Sequence, residues 1–162
     1  MHELIKLIAK DLIIVPILVA VYLLWKLDGK ARKNFLALLI LGGALSLVLA
    51  KVGAHFYSDP RPLFKDHVTP YFIASHYNGF PSDHTLLASF LGFATLTYRR
   101  QVGYILLLVA AIIGWARVAA GVHHFVDIIG SFLFTALATL LAVWLLNFWQ
   151  ARSTPKKTSS KS

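Results

Sequence analysis

The chain contains no cysteine in 162 residues. Disulfides, thiolate metal sites and cysteine nucleophiles are excluded together. Acid is scarce as well: seven Asp and Glu stand against sixteen Lys and Arg. All charged residues amount to 14%, where a soluble domain carries about 25%. So few charges cannot cover a water-facing surface, and apolar residues make up 57% of the chain. A soluble globular domain and a disordered chain are both excluded, and the composition is that of an integral membrane protein.

A bilayer core of about 30 Å needs about 20 apolar helical residues. Five segments are predicted to span: Leu4–Leu27, Phe35–Phe56, Ser82–Tyr98, Val102–Ala119 and Phe125–Trp149. The expected fold is therefore an all-α bundle of about five transmembrane helices. Residues 1–150 form one domain, and 151–162, rich in Ser, Thr and Lys, form a disordered basic tail. Glu3 and Asp11, with no small-residue cleavage pattern after them, argue against a cleavable signal peptide. Trp25, Tyr98, Trp144 and Trp149 fall near span ends and read as an interfacial belt, while Trp115 reads as packing between helices.

Alternating spans divide the charges unequally. One face collects Lys26, Lys30, Arg32, Lys33, Arg99, Arg100 and the four cations after residue 150, with Asp28 as its single acid. The other face holds Lys6, Lys10, Lys51, Arg61, Lys65 and Arg117 with the remaining acids. The positive-inside rule makes the first face cytoplasmic. The N-terminus and the polar loop Tyr57–Phe80 are then extracytoplasmic, and the C-terminus is cytoplasmic. Anionic headgroups account for the basic face, so no nucleic-acid partner is expected.

Three polar clusters fall at the outer ends of the spans: Lys51 with Asp59-Pro60-Arg61-Pro62, Pro81-Ser82-Asp83-His84, and Arg117 with His123 and Asp127. Ionisable groups at membrane depth are costly and functional by default. Pro, Ser and Asp suit a helix start, and a helix N-terminus presents unpaired N–H groups to an anion. His84 would sit in that first turn. His123 and Asp127 are four apart, so on a helix they share a face and can hydrogen-bond. A carboxylate on one imidazole nitrogen fixes the tautomer and frees the other to attack or carry a proton. Arg117, across the Gly121 turn, can reach back as a bidentate phosphate clamp.

Arg61-Pro62, Pro81-Ser82-Asp83-His84 and Arg117-x5-His123-x3-Asp127 resemble the three signatures of the type-2 phosphatidic acid phosphatase superfamily, over about residues 51–127. The resemblance implies a metal-independent, cofactor-free enzyme that dephosphorylates lipid phosphates or diphosphates through a phosphohistidine. It implies His123 as nucleophile, Asp127 as its orienting partner and His84 as general acid. Arg61, Arg117, Ser82 and Lys51 would hold phosphate oxygens, with backbone N–H groups near Asp83 and His84. The family's lysine stands seven residues before the arginine, where this chain has Ala54. Lys51 or Lys65 would fill that role. The form Phe80-Pro81-Ser82-Asp83-His84 is similar to bacterial undecaprenyl diphosphate phosphatases of the bacitracin-resistance type. That implies carrier-lipid recycling in envelope synthesis, with the site outside a bacterial inner membrane.

Other readings of the same residues remain. Within the class, a phosphatidylglycerophosphate, phosphatidate or lipid A phosphatase leaves similar traces. Outside it, a small transporter or an intramembrane serine protease using Ser82 could carry such a cluster. Mid-span charges and inverted repeats, and a Gly-rich serine surround, are not visible. His55, His67 and His76 are spaced too irregularly for a metal site and read as solvated loop residues, and His124 as pointing away from the site. Oligomeric state is not legible.

Overall fold

The computed structural model describes residues 1–73 and 76–153, the last without its side chain; the expected tail beyond them lies outside the described residues. Seven helices follow one another: α1 His2–Lys10, α2 Ile14–Lys26, α3 Gly29–Phe56, α4 Pro62–Lys65, α5 Asp83–Leu96, α6 Arg100–Ala119 and α7 Phe125–Ser153. Among the described residues no strand forms, and one isolated antiparallel bridge joins Pro60 to Asn78.

Four helical stretches are long and apolar enough to cross a membrane: 2–26, 29–56, 100–119 and 125–152. The expected third span, carried by α5, is shorter than these four. α5 has 14 residues, about 21 Å of helix at 1.5 Å per residue. It lies inside the bundle, packed on α6, α7, α3 and α2. Ala88, Ser89, Ala94 and Thr95 are fully buried there.

The first expected span is also interrupted. Pro16 has no N–H to donate and its ring crowds the carbonyl four residues back. The chain therefore tightens at Asp11–Ile13, where Ile14 and Val15 donate three residues back, to Asp11 and Leu12, at 3.0 and 3.1 Å. α3 begins earlier than expected because Asp28 caps it, its Oδ1 accepting from the Ala31 N–H at 2.9 Å. Lys30, Arg32 and Lys33 thus belong to a helix rather than a loop.

Small residues let the helices approach. Ala20, Leu23, Phe35, Leu38, Phe90 and Ala142 make one core at the end carrying the α2–α3 turn. Ala9, Ala116, Ala120 and Val122 make a second, joining α1 to α6 beneath Tyr71 and Phe72. Large apolar side chains on the outer faces, such as Ile40, Leu108 and Leu140, stay exposed for lipid. Trp115 joins them at 53% exposure rather than packing between helices.

Candidate active site

The described residues between α3 and α5 are held by hydrogen bonds among themselves and to the bundle. Asn78 Oδ1 accepts from the backbone N–H groups of Asp59 and Phe80, both at 3.0 Å. Gly79 N–H donates to the Asp59 carbonyl at 2.8 Å, and Arg61 N–H to that of Tyr77 at 3.0 Å. Tyr71 N–H donates to the Ala120 carbonyl at 2.9 Å. The segment thereby closes on itself and lies against the turn between α6 and α7. That turn needs Gly121, whose φ of +71° a side chain would strain.

His123 lies just before α7 and is 2% exposed. Its Nδ1 is 3.0 Å from Asp127 Oδ2. Its Nε2 faces Arg61 Nη1 at 3.0 Å and Arg117 Nη2 at 3.4 Å. Guanidinium nitrogens only donate, so Nε2 accepts and Nδ1 carries the proton given to Asp127. Burial pushes the His123 imidazole below its ordinary value, with the Asp127 bond opposing. The ring is neutral, with its lone pair at Nε2.

Each arginine is aimed by backbone carbonyls. Arg61 donates from Nε to His76 at 2.7 Å and from Nη1 to Val122 at 2.8 Å. Arg117 donates from Nη1 to Ala9 at 3.0 Å. Both guanidinium groups line a cavity of about 350 Å³ together with Lys10, Asp83 and His84. Three cations and one carboxylate make it an anion site.

The start of α5 is fixed to the start of α7. Ser82 N–H donates to the Asp127 carbonyl at 3.3 Å. Ser131 Oγ lies 3.0 Å from the Ser82 carbonyl and 2.8 Å from that of Asp127. This places His84 in the cavity whose two arginines reach His123 Nε2. Ser82 is fully buried and its hydroxyl accepts from Thr85 at 3.2 Å. As N-cap it makes no side-chain capping bond. The first-turn N–H groups of α5 have no intrahelical partner and remain available to an anion. Any help from Asp83 comes through its backbone, because its carboxylate opposes a phosphate.

Lys51 and Lys65 separate. Lys65 Nζ is 2.9 Å from Asp59 Oδ1. Lys51 lines an adjoining cavity of about 250 Å³ with Arg61, Asp83 and Ala54. His124, expected to point away, ties Asp59 and Asp66, with Nδ1 at 2.6 Å and Nε2 at 2.8 Å. His76 enters through its carbonyl and lines both cavities. Ser131, Asn78 and the Ala9 carbonyl had no sequence signal, since ordinary residues acquire these roles only from long-range contacts.

Asp59, His124 and Asp127 present ligand atoms within 4.8 Å of one another, the arrangement among the described residues most suited to a metal ion. Protein donors already engage both Asp59 oxygens and Asp127 Oδ2. The group fits a hydrogen-bonded ion cluster better than a metal cage. His55 and His67 are not part of it.

The PAP2 superfamily model matches residues 15–151. The Escherichia coli (strain K12) protein named undecaprenyl-diphosphatase YbjG is 32% identical over 146 residues, 89% of this chain and 71% of that protein. Undecaprenyl-diphosphatase BcrC of Bacillus subtilis (strain 168) is 32% identical over 115 residues, 71% of this chain and 58% of its own. Among solved structures, Aquifex aeolicus LpxE aligns with a TM-score of 0.61 at 21% identity, covering 88% of this chain and 93% of its own. A transmembrane PAP2 type phosphatidylglycerolphosphate phosphatase from Bacillus subtilis aligns with a TM-score of 0.63 at 19% identity, covering 96% and 79%. At these identities the two structures bear on fold alone.

Proposed function

The chain belongs to the PAP2 superfamily and is a multi-pass membrane phosphatase, and from that premise we propose that it converts undecaprenyl diphosphate to undecaprenyl phosphate at the outer face of a bacterial cytoplasmic membrane. The observation that carries the mechanism is His123. Its Nδ1 is held by Asp127 while Nε2 lies beneath two guanidinium groups.

Without phosphate, Arg61 and Arg117 rest on the nucleophile's lone pair. A phosphoryl group entering the cavity takes those donors onto its equatorial oxygens and uncovers Nε2. Nε2 attacks the terminal phosphorus, an N–P bond forms, and the P–O bond to the lipid monophosphate breaks. Burial, and then the Arg117 charge, hold the His84 imidazole down to about 4; the bound phosphate offsets the cation charge, and the ring so protonated gives its proton to the departing oxygen. Asp127 stabilises the imidazolium that develops. Water then attacks the phosphohistidine and gives a proton to His84, and inorganic phosphate leaves with His123 free again. All charge stabilisation comes from protein cations and N–H groups.

Similarity to YbjG and BcrC supports the carrier lipid over the other substrates of the class. The cavities offer a compatible path. From the arginines, the Lys51 cavity leads to an apolar groove between α3 and α5, about 570 Å³, lined by Leu39, Leu47, Leu87 and Phe90 with Asp83 at its polar end. Lys51 would hold the lipid-proximal phosphate and the groove the first part of the tail.

The test is phosphate release by purified protein in detergent from undecaprenyl diphosphate, phosphatidylglycerophosphate, phosphatidate and lipid A. The expected result is highest kcat/KM on the polyprenyl diphosphate. Preference for a two-chain lipid would overturn the substrate. No release from any of the four would overturn the reading as a whole.

A further inference from the structure

Lys10 lies outside every motif of the site, on a helix that the motif-bearing region does not include. It stands one residue beyond Ala9, whose carbonyl accepts from Arg117 at 3.0 Å. That bond fixes the end of α1 beside the phosphate-facing guanidinium. The Lys10 ammonium lies 5.7 Å from the centre of the Phe72 ring, and the Arg117 guanidinium carbon 5.6 Å from the same ring. One aromatic side chain thus gathers both cations at the rim of one cavity, which Lys10 lines with Arg61, His84 and Arg117.

The two lysines considered from sequence do not share that space. Lys65 is paired with Asp59, and Lys51 opens into the neighbouring cavity. Ala54 also lines that neighbouring cavity and carries no charge. Among the described residues, the cavity holding both arginines and His84 therefore takes its third cation from α1. An ammonium within an apolar span is costly unless it has a partner. Lys6, one turn earlier, is paired with Glu3 at 2.7 Å. Lys10 is exposed between a cavity it lines with Glu3 and Asp11 and the arginine cavity, with the Phe72 ring beside it and no ion pair among the described residues.

We propose that Lys10 is a phosphate-binding residue, its ammonium adding the third positive charge to the phosphoryl group held by Arg61 and Arg117. This rests on the phosphatase reading above. α1 is then part of the active site and not only a membrane anchor: its last turn brings a lysine to the cavity of the two arginines, while the motif position, Ala54, lines the neighbouring cavity without charge. The flexible four-carbon stem can leave the Phe72 ring and reach phosphate, as a point charge suited to an oxygen that the arginine forks leave open.

The experiment uses the full chain in detergent, with farnesyl diphosphate as substrate and inorganic phosphate as competitor. Lys10→Gln, Lys10→Arg and Lys6→Gln are compared with wild type. A lost charge-assisted hydrogen bond lowers affinity by about ten- to a hundredfold. Lys10→Gln should lose that much in kcat/KM, and its inhibition constant for inorganic phosphate should rise in parallel. Lys10→Arg should recover most of both, and Lys6→Gln should match wild type. Thermal stabilisation by inorganic phosphate is read separately, because it needs no turnover. It should be strong in wild type and weak in Lys10→Gln. Unchanged phosphate inhibition and stabilisation in Lys10→Gln would overturn the proposal. So would equal losses in Lys10→Gln and Lys10→Arg with a lowered melting midpoint, which would mark a packing role against Phe72. A wild type stabilised by phosphate but inactive on every lipid phosphate would sink the phosphatase reading, while the stabilisation data would still judge Lys10.

Discussion

His123 and His124 are neighbours in one turn, and their surroundings set opposite protonation states. His123 is buried under two guanidinium groups, and burial lowers it. For His124 burial also pushes down, but hydrogen bonds and charge from Asp66 and Asp59 outweigh it and raise the imidazole above its ordinary value. Its two nitrogens each meet a carboxylate, which requires both to carry protons. The charges around it are Asp59, Asp66, Asp127 and the Lys65 ammonium on Asp59. A folded-state value raised above the unfolded one stabilises fully below about pH 6.5, the ordinary histidine value, and that contribution is lost as pH rises through the raised value. The melting midpoint of His124→Ala in detergent should therefore trail wild type most near pH 6 and least near pH 9. A deficit that does not change with pH would mean that His124 is neutral when folded. On the other side of the turn, His123→Ala should abolish phosphoryl transfer. Asp127→Asn should keep the fold and lose several powers of ten in kcat, through lost orientation and imidazolium stabilisation. An Asp127→Asn enzyme at wild-type rate would remove Asp127 from the mechanism.

At the scale of elements, the precision of the site comes from how the 57–81 segment and the two helix starts are locked together. Gly79 shows it most sharply. A Cβ there would lie 2.9 Å from Asp127 Oδ2 and 3.3 Å from Arg61 Cγ, closer than packed atoms sit. Gly79→Ala should displace the carboxylate that orients His123, cutting kcat at least about tenfold while the melting midpoint falls by only a few degrees. An unchanged kcat would show that the segment shifts without moving Asp127. Much of this level was hidden in the sequence for a physical reason. The i, i+4 spacing of His123 and Asp127 was readable because a helical turn alone brings them together. His124 finds Asp59 across 65 positions and Asp66 across 58, and Arg117 finds Ala9 across 108. No local pattern encodes such distances. α5 is shorter than its apolar run suggests because it crosses inside the bundle, packed by four other helices, where 14 helical residues suffice. Its polar Ser89 pairs with Thr135 of α7 at 2.9 Å, a contact between helices and not a surface feature.

For the whole molecule, one physical requirement links composition, fold and site: phosphate chemistry at the end of an apolar bundle must supply positive charge without opening the bundle to water. The chain meets it by drawing on α1, the 57–81 segment and the last turn of α6 for Lys10, Arg61 and Arg117, which line one cavity. Since these cations occupy the role a metal could play, excess EDTA should leave turnover intact. Complete loss restored by a divalent ion would overturn that, and would redirect attention to Asp59, His124 and Asp127. Orientation follows from the same charges. With Arg61, Arg117 and Lys10 assigned to phosphate as proposed, the bias available for topology is larger than a plain count of cations on each face. The face with Lys26, Lys30, Arg32, Lys33, Arg99 and Arg100 should be cytoplasmic, and the 57–81 segment outside. The absence of cysteine makes this directly measurable. Ser58 and Gln101 are exposed and lie at opposite ends of the bundle, so Ser58→Cys and Gln101→Cys disturb no contact of the site. An impermeant thiol reagent applied to intact cells should label position 58 and spare 101, with 101 labelled only after permeabilisation. The reverse pattern would put the phosphatase site in the cytoplasm and overturn the outward-facing reading. Labelling of both in intact cells would mean that the bundle crosses an even number of times between them.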